Sequence, residues 1–322
     1  MQTTRRAFAI LIAVSLTACA TAQTAATPAE SDRFVVATPA QAAPIFTADD
    51  EFMAVVTPAD ISIRTRSANG TRADLVRTYA GAFEPWTDDE TARIEAMLTR
   101  RAGQLQSIAR WLPDTVLIVK SNGAADTSLP HTRGNAINMG PQLDASEAEF
   151  EAVFFHELFH VLSRHNAARH DEMYALVGFH PCSIDLPADV RAQTVTNPDA
   201  PALRWAAPFG GDGRSVVAVL FANPPRWDPA QPIFGRYFNL RFLQADTASG
   251  QCALTLTNGQ PVDIAGDQAM AAIHAAAGAN TNYILHAEEL LADNFSQLMM
   301  GETVPNPEVH ARLAAFLGIP VG

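Results

Sequence analysis

The stretch His156-Glu157-Leu158-Phe159-His160 is the most specific chemical signal in this chain of 322 residues. On a helix, residues four apart lie one turn apart on the same face, so both imidazoles can reach one metal ion. The intervening Glu157 then lies where its carboxylate can take a proton from a metal-bound water. The stretch therefore predicts a helix that carries two metal ligands and a general base.

The residues around this motif favour a helix over about 145–163. Ser146 followed by Glu149 is a capping box just ahead of an apolar run. The apolar residues recur at helical spacing, and they are Phe150, Val153, Phe154, Leu158, Val161 and Leu162. The alternative is a structural helix whose two histidines bond to neighbours, but a charged Glu157 on so apolar a helix costs free energy unless it is paired.

A third metal ligand does not follow directly after the motif. The metzincin continuation requires glycine and histidine where this chain has Ser163 and Asn166, so that pattern is excluded. Far downstream, a Glu-Leu-Leu-Ala-Asp stretch places Glu289 and Asp293 one helical turn apart. Such a glutamate can bind zinc, while the aspartate accepts the N–H of a ligating histidine and fixes its tautomer. Glu288 is the alternative ligand if the second helix is rotated, and an acidic helix N-terminus without a metal is the simpler alternative.

An H-E-x-x-H motif followed by a distant E-x-x-A-D resembles the gluzincin zinc metallopeptidases, and the second motif is similar to that of the CAAX-protease type. The resemblance implies a zinc site with His156, His160 and Glu289 as ligands, Glu157 as the general base and Asp293 as the partner of a ligating histidine. It covers the two motifs and their helices. The chain departs from the family in its long gap between the motifs and in lacking multiple membrane spans, so the family's substrate preference is not carried over.

A site of this kind predicts hydrolysis of peptide bonds by a zinc-activated water. The candidates for the donor that stabilises the transition state are Tyr283 and His286, with His131, His180 and Arg133 further away in sequence. His286 is alternatively the cap of the second helix. Two other functions remain open, namely a zinc hydrolase of a non-peptide envelope amide and a non-catalytic zinc-binding lipoprotein.

The N-terminus has the layout of a bacterial lipoprotein. Two arginines precede an apolar run over residues 7–16, which is too short to span a membrane. An L-T-A-C sequence ending at Cys19 resembles a lipobox, whose cysteine is lipidated and becomes the mature N-terminus. We therefore expect a signal peptide over residues 1–18 and a lipid anchor at Cys19 on the periplasmic side of an envelope membrane, the outer membrane in view of Ala20.

The composition of the rest limits the partners. Residues 19–46 are rich in Ala, Thr, Pro and Gln, so we expect a flexible tether. The net charge of −12 argues against nucleic acid or anionic lipid as a target. The predicted partner is a peptide or protein substrate, with membrane contact only through the N-terminal lipid.

Residues 47–322 are enough for one sizeable core, and we predict a single α+β, zincin-like metallopeptidase domain. It combines the active-site helix, a mixed sheet with an edge strand and a large insertion over about 166–282, between the two zinc-ligand helices. The predicted strands lie at 115–119, 135–139, 216–221, 233–238 and 253–257. The insertion would form the other wall of the cleft and determine specificity.

The segment 131–139 is where we expect the edge strand of the sheet. In zincin-like folds an edge strand ahead of the active-site helix pairs with extended substrate. His131 and Arg133 would then face the cleft, unless they are ordinary exposed loop residues.

Two cysteines remain besides Cys19. In an oxidising periplasm Cys182 and Cys252 can pair, which would tie down the insertion. Neither has the C-x-x-C or H-x-x-C spacing of a zinc site, so we predict a disulfide bond rather than metal ligation.

Overall fold

The computed structural model of the protein describes residues 33–124, 126, 129–140, 145–247 and 250–319. The predicted signal peptide, residues 1–18, and the predicted lipidation site, Cys19, lie outside these residues. The described part is a mixed α+β structure, as the sequence predicts at this level. None of the described helices is long and apolar enough to cross a bilayer.

The described helices, in chain order, are α1 Pro39–Phe46, α2 Glu51–Val55, α3 Pro58–Arg64, α4 Arg72–Ala80, α5 Asp88–Arg100, α6 Ala102–Ile108, α7 Glu147–His165, α8 His170–Ala175, α9 Ala188–Arg191, α10 Gly266–Ala277, α11 Ala287–Met300 and α12 Pro307–Leu317. The described strands are β1 Phe34–Val36, β2 Phe83–Glu84, β3 Val116–Ser121, β4 His131–Arg133, β5 Ala136–Asn138, β6 His180–Pro181, β7 Trp205–Phe209, β8 Arg214–Ala222, β9 Phe238–Asp246, β10 Ala253–Leu254, β11 Leu256–Thr257, β12 Gln260–Pro261 and β13 Asp263–Ile264.

The first sheet lies ahead of the H-E-x-x-H helix in sequence and has the order β1-β3-β5-β4, with β2 paired to β3. Strands β1, β3 and β5 are parallel, and β4 runs antiparallel to β5. Two of the predicted strands correspond to β3 and β5. Because α7 contacts both β4 and β5, this end of the sheet lies against the helix that carries the motif.

The prediction of a flexible tether up to residue 46 is wrong for its second half. Strand β1 pairs with β3 through Phe34 and Val116, and Phe34 is only 6% exposed. Helix α1 follows, and its Ala42 and Phe46 are buried. Because the segment is rich in Ala and Pro, its few apolar residues did not indicate a strand or a helix. Pairing with the central strand β3 orders the segment. The folded domain therefore includes residues 34–46.

Helix α7 confirms the predicted helix and its start. The Ser146 N–H donates to Glu149 Oε2 at 2.9 Å, and the Glu149 N–H donates to Ser146 Oγ at 3.3 Å, which completes the capping box. Helix α7 buries a row of phenylalanines, namely Phe150, Phe154, Phe155 and Phe159. It packs along α11, where Ser296 Oγ donates to the carbonyl of Ala152 at 2.7 Å. This packing fixes the two motif-bearing helices side by side.

The insertion forms a second, antiparallel sheet with the order β10-β9-β8-β7-β6 and with β13 paired to β9. The strand predicted at 233–238 is wrong, because Phe234–Tyr237 is a 3-10 turn and the strand begins at Phe238. Pairing over nine residues, from Ala222 opposite Phe238 to Arg214 opposite Asp246, determines where β9 starts. One hydrophobic cluster extends from the first sheet through α7 and α11 to this second sheet.

Cys182 and Cys252 form a disulfide bond across a separation of 70 residues. The two cysteines are buried within an apolar cluster of the insertion that also contains Ile184, Val217 and Leu243. Next to the bond, Ser183 pairs with Ala253. The bond therefore joins two distant parts of the insertion.

We expect the Cys182→Ser/Cys252→Ser double variant to lose about 4 kcal/mol of unfolding free energy, since a closed loop of this length restricts the unfolded chain by about that amount. Urea unfolding followed by tryptophan fluorescence would measure the loss. Wild-type protein treated with a reductant should match the double variant. Equal midpoints for oxidised wild type and the double variant would show that the bond does not stabilise the fold.

Candidate metal centre

Helices α7 and α11 bring three potential metal ligands together. His156 Nε2 lies 3.1 Å from Glu289 Oε2, and His160 Nε2 lies 3.6 Å from the same oxygen. The two imidazole centroids are 4.9 Å apart, as expected for residues one helical turn apart. Both rings thus direct Nε2 at the carboxylate of the second motif, although 128 residues separate that carboxylate from His160 in the printed sequence.

The opposite nitrogen of each histidine donates to its own carboxylate. His156 Nδ1 lies 2.7 Å from Asp293 Oδ1, and His160 Nδ1 lies 2.9 Å from Glu288 Oε1. A proton held at Nδ1 leaves Nε2 as the free acceptor, which is the tautomer that a metal requires. The structure thus places Asp293 behind a histidine, where the sequence predicted it.

Glu288 is placed differently from the alternative in which it binds the metal. Its Oε1 accepts from His160, and its Oε2 accepts from Ser163 Oγ at 2.7 Å and from Tyr174 OH at 2.8 Å. The carboxylate is 2% exposed and lies behind His160, away from the free Nε2. Glu288 therefore positions the histidine, and sequence reasoning missed this role. The signal was available in Ser163, which lies one turn beyond His160 and supplies a donor.

We expect Glu288→Gln to weaken metal binding by roughly 10–100-fold, the usual effect of losing a carboxylate behind a ligating histidine. The amide cannot accept three hydrogen bonds in the same way, so His160 loses its fixed orientation. Competition with a chelator of known affinity would measure the change. Glu302→Gln is the matched control because Glu302 is exposed just beyond α11. Equal affinities for the two variants would contradict this role for Glu288.

Glu157 lies in the same group, since one ligand atom from each of His156, Glu157 and His160 lies within 4.8 Å of the others. Its Oε2 accepts a hydrogen bond from Thr132 Oγ1 at 2.9 Å, and the residue is 3% exposed. Burial raises the pKa of Glu157 despite the opposing effect of the two histidines. A carboxylate with a raised pKa accepts a proton more readily than a carboxylate with the ordinary pKa.

The charge balance of the centre favours a cation. Five acidic side chains surround the two histidines, and they are Glu157, Asp199, Glu288, Glu289 and Asp293. His160 Nε2 is buried and makes no hydrogen bond with any described residue. Burial lowers the pKa of His156, but the bonds to Asp293 and Glu289 outweigh it and raise the pKa to about 10. A bound metal ion would supply the positive charge that the metal-free site draws from protons.

Asp199, from the insertion, is a further member of the centre. One ligand atom from each of His160, Asp199 and Glu289 lies within 4.8 Å of the others. The sequence around Asp199 reads Asn-Pro-Asp-Ala-Pro and predicts only a turn. A lone acid in a turn has no helical spacing to another ligand, so no sequence signal could have identified it.

Strand β4 is the end strand of its sheet, but its free edge is covered. His131, Thr132 and Arg133 are each at most 2% exposed. The outward N–H of Thr132 donates to Asp199 Oδ1 at 2.6 Å, and Arg164 approaches the Thr132 carbonyl at 3.5 Å. The expectation of an open edge for extended substrate is therefore wrong for this conformation, because the insertion occupies it.

The two β4 residues that were expected to face the cleft lie in different surroundings. His131 lines the cavity beside the centre, and burial lowers its pKa to about 3, so the ring is neutral. Arg133 does not reach the cleft. Its Nε donates to Asp50 Oδ2 at 2.6 Å, and its guanidinium lies over the rings of Phe52 and Tyr79. Arg133 is therefore a core residue, and the prediction that it faces the cleft is wrong.

The two main candidates for a transition-state donor also have different positions and contacts. Tyr283 stacks on His156 with ring centroids 5.9 Å apart, lines the cavity and is 40% exposed. His286 instead caps α11, since its Nδ1 accepts the N–H of Glu288 at 3.0 Å. Its ring packs edge-on against Tyr174 and Trp205. The alternative role of His286 as a helix cap is the one observed, and Tyr283 remains the donor candidate at the centre.

A cavity of about 540 Å³ leads to the centre. His156, Glu157 and Glu289 are among the residues that line it. Much of the remaining wall is apolar and comes from the insertion and the start of the second motif, namely Val195, Leu220, Phe234, Phe238 and Leu285. The centre is thus reachable from solvent through an apolar passage, and the insertion lines the cavity as predicted from its place in the sequence.

No family model, curated protein or solved structure matches this chain significantly.

Proposed function

We propose that this protein is a zinc-dependent peptidase with a zincin-like, gluzincin-type centre. The observation that carries the proposal is the approach of His156, His160 and Glu289 to one point with Glu157 beside it. Two histidines and a glutamate are a common ligand set of catalytic zinc sites, which keep one position open for water. A site that only stabilises the fold has no use for a buried carboxylate beside the metal.

The chemistry follows from these side chains. Zinc bound here would lower the pKa of a water molecule toward about 7 and polarise the scissile carbonyl. Glu157 accepts a proton from the attacking water and returns it to the leaving amine. Asp293 and Glu288 hold the two imidazoles in the tautomer that leaves Nε2 free. Tyr283 stacks on His156 and lines the cavity, and its hydroxyl is the donor we propose for the developing oxyanion.

We further propose that the enzyme acts outside the cytoplasm on peptides with bulky apolar side chains. The signal-like N-terminus supports export, and the bond between Cys182 and Cys252 fits an oxidising compartment. The apolar cavity wall beside Glu157 supports the substrate preference, since an apolar side chain gains free energy by leaving water there. Lipidation of Cys19 would hold the enzyme at the periplasmic face of the envelope membrane.

The test is a single purified preparation examined for metal and for cleavage. We expect about one zinc per chain and cleavage of a peptide library next to large apolar residues, with loss of cleavage on chelation and recovery on adding zinc. Muropeptides and other envelope amides are measured in parallel. Cleavage of those amides alone would replace the peptidase proposal by the amide hydrolase, and zinc without any cleavage would leave a non-catalytic metal site.

A further inference from the structure

The segment Thr196 to Asp199 of the insertion lies against the metal centre and is anchored there by its backbone. The Thr196 N–H donates to Asp60 Oδ1 at 2.9 Å, and Arg64 Nη2 donates to the Thr196 carbonyl at 2.6 Å. Arg164 donates to the Pro198 carbonyl at 3.2 Å. These bonds come from elements outside the segment, so the rest of the fold determines the position of its backbone.

Two side chains of this segment reach the proposed ligands. Asn197 Nδ2 donates to Glu289 Oε1, and Asn197 Oδ1 accepts the N–H of Asp199 at 3.1 Å. The Asp199 carboxylate lies within 4.8 Å of the ligand atoms of His160 and Glu289. The charges of His160 and Arg164 act on Asp199, but no arginine or lysine side chain of the described residues lies within ion-pair distance of its carboxylate. His160 Nε2, which makes no hydrogen bond with any described residue, and the Asp199 carboxylate are therefore close enough to bind one metal ion together.

We propose that Asp199 is a fourth, exchangeable ligand of the metal and that it holds the place of the substrate carbonyl in the resting enzyme. This inference rests on the proposed function, since it concerns the same metal centre. A tetrahedral zinc ion with four protein ligands has no open position, whereas catalysis requires one. The carboxylate of Asp199 must then leave the metal before a peptide can react.

The contact with Thr132 supports the comparison with a substrate carbonyl. An extended peptide added to a sheet edge accepts hydrogen bonds from the outward N–H groups of the edge strand through its own carbonyls. Asp199 Oδ1 accepts the outward N–H of Thr132 at 2.6 Å. The same Thr132 donates through Oγ1 to Glu157, so Asp199 lies at the junction of the edge strand, the base and the metal.

The anchoring of the segment limits how Asp199 can be released. Because Asp60, Arg64 and Arg164 hold the backbone, the economical movement is a rotation of the Asp199 side chain alone. Thr132 N–H would then be free for the peptide, and one position on the metal would open. Asp199 therefore competes with both water and substrate for the same position on the metal.

The experiment measures ligand binding to the cobalt(II)-substituted protein and uses no peptide, so its outcome is independent of whether the protein is a peptidase. Azide is titrated against wild type and Asp199→Ala while the visible absorption of cobalt is recorded. We expect the variant to bind azide at least about tenfold more tightly, because the position is vacant, and to bind zinc about tenfold more weakly. Asp185→Ala, an exposed acid of the same insertion, should behave as wild type in both titrations.

Two outcomes would overturn the proposal. Equal azide affinity in wild type and Asp199→Ala would show that Asp199 does not occupy a metal position. Complete loss of cobalt and zinc from a folded variant would show a permanent structural ligand rather than an exchangeable one. Asp199→Asn, which keeps an acceptor for Thr132 N–H, serves as a second variant if the alanine form does not fold, and the same azide comparison decides.

Discussion

Glu157→Gln should bind zinc as the wild type does and lose peptide hydrolysis by roughly 10²–10⁴-fold, the range usually associated with a general base. The amide has the same shape and can still accept the hydrogen bond from Thr132 Oγ1, so the fold and the three proposed ligands are retained. It cannot take a proton from water. The loss should therefore fall on kcat, and zinc content should remain near one per chain.

The measurement is steady-state cleavage of one peptide from the library, together with metal analysis of the same samples. Glu172→Gln is the matched control, because Glu172 is an exposed acid on α8, outside the centre. An active Glu157→Gln variant with full zinc content would remove Glu157 from the mechanism and with it the main argument for catalysis.

Glu289→Ala should weaken zinc binding by roughly 10³-fold. Structural zinc sites are worth about 10–16 kcal/mol, so one of three permanent ligands contributes about 4 kcal/mol, which corresponds to a factor near a thousand. The variant should also be inactive at ordinary zinc concentrations. Chelator competition would measure the affinity, and excess zinc should restore part of the activity if the loss is one of occupancy alone.

The neighbouring glutamate provides the sharpest comparison for this prediction. Glu288→Gln is expected to lose at most about 100-fold in affinity, since Glu288 lies behind His160 and not on the metal side. If the order were reversed, with Glu288→Gln losing the metal and Glu289→Ala retaining it, the ligand would be Glu288. The second helix would then be rotated relative to the geometry described above.

The local features of the centre could be predicted because they follow from helical periodicity. His156 and His160 are four apart, Glu289 and Asp293 are four apart, and each pair therefore shares one face of its helix. The capping box at Ser146 gave the start of α7 for the same reason, since it is a pattern within four residues. The resemblance to gluzincins linked the two pairs, and the structure brings them within hydrogen-bond distance.

The parts that escaped prediction are contacts between distant segments. Asp199 reaches the centre through the fold of the insertion, and Thr132 reaches Glu157 from the first sheet. Neither has a spacing that could be read from the chain. That residues 34–46 are folded was missed for a related reason. Strand β1 is stabilised by pairing with β3, and the paired residues Phe34 and Val116 are 82 positions apart in the sequence.

Helix α11 supplies Glu289 to one side of the histidines and Glu288 and Asp293 to the other, while both histidines come from α7. A metal ion at this point would therefore cross-link two helices, in the way that a disulfide bond joins two strands, but reversibly. At a free metal concentration a thousand times its Kd, that cross-link would add about 4 kcal/mol to the stability of the fold. The lifetime of the folded protein would then follow the supply of that metal, since its loss would loosen two helices of the core.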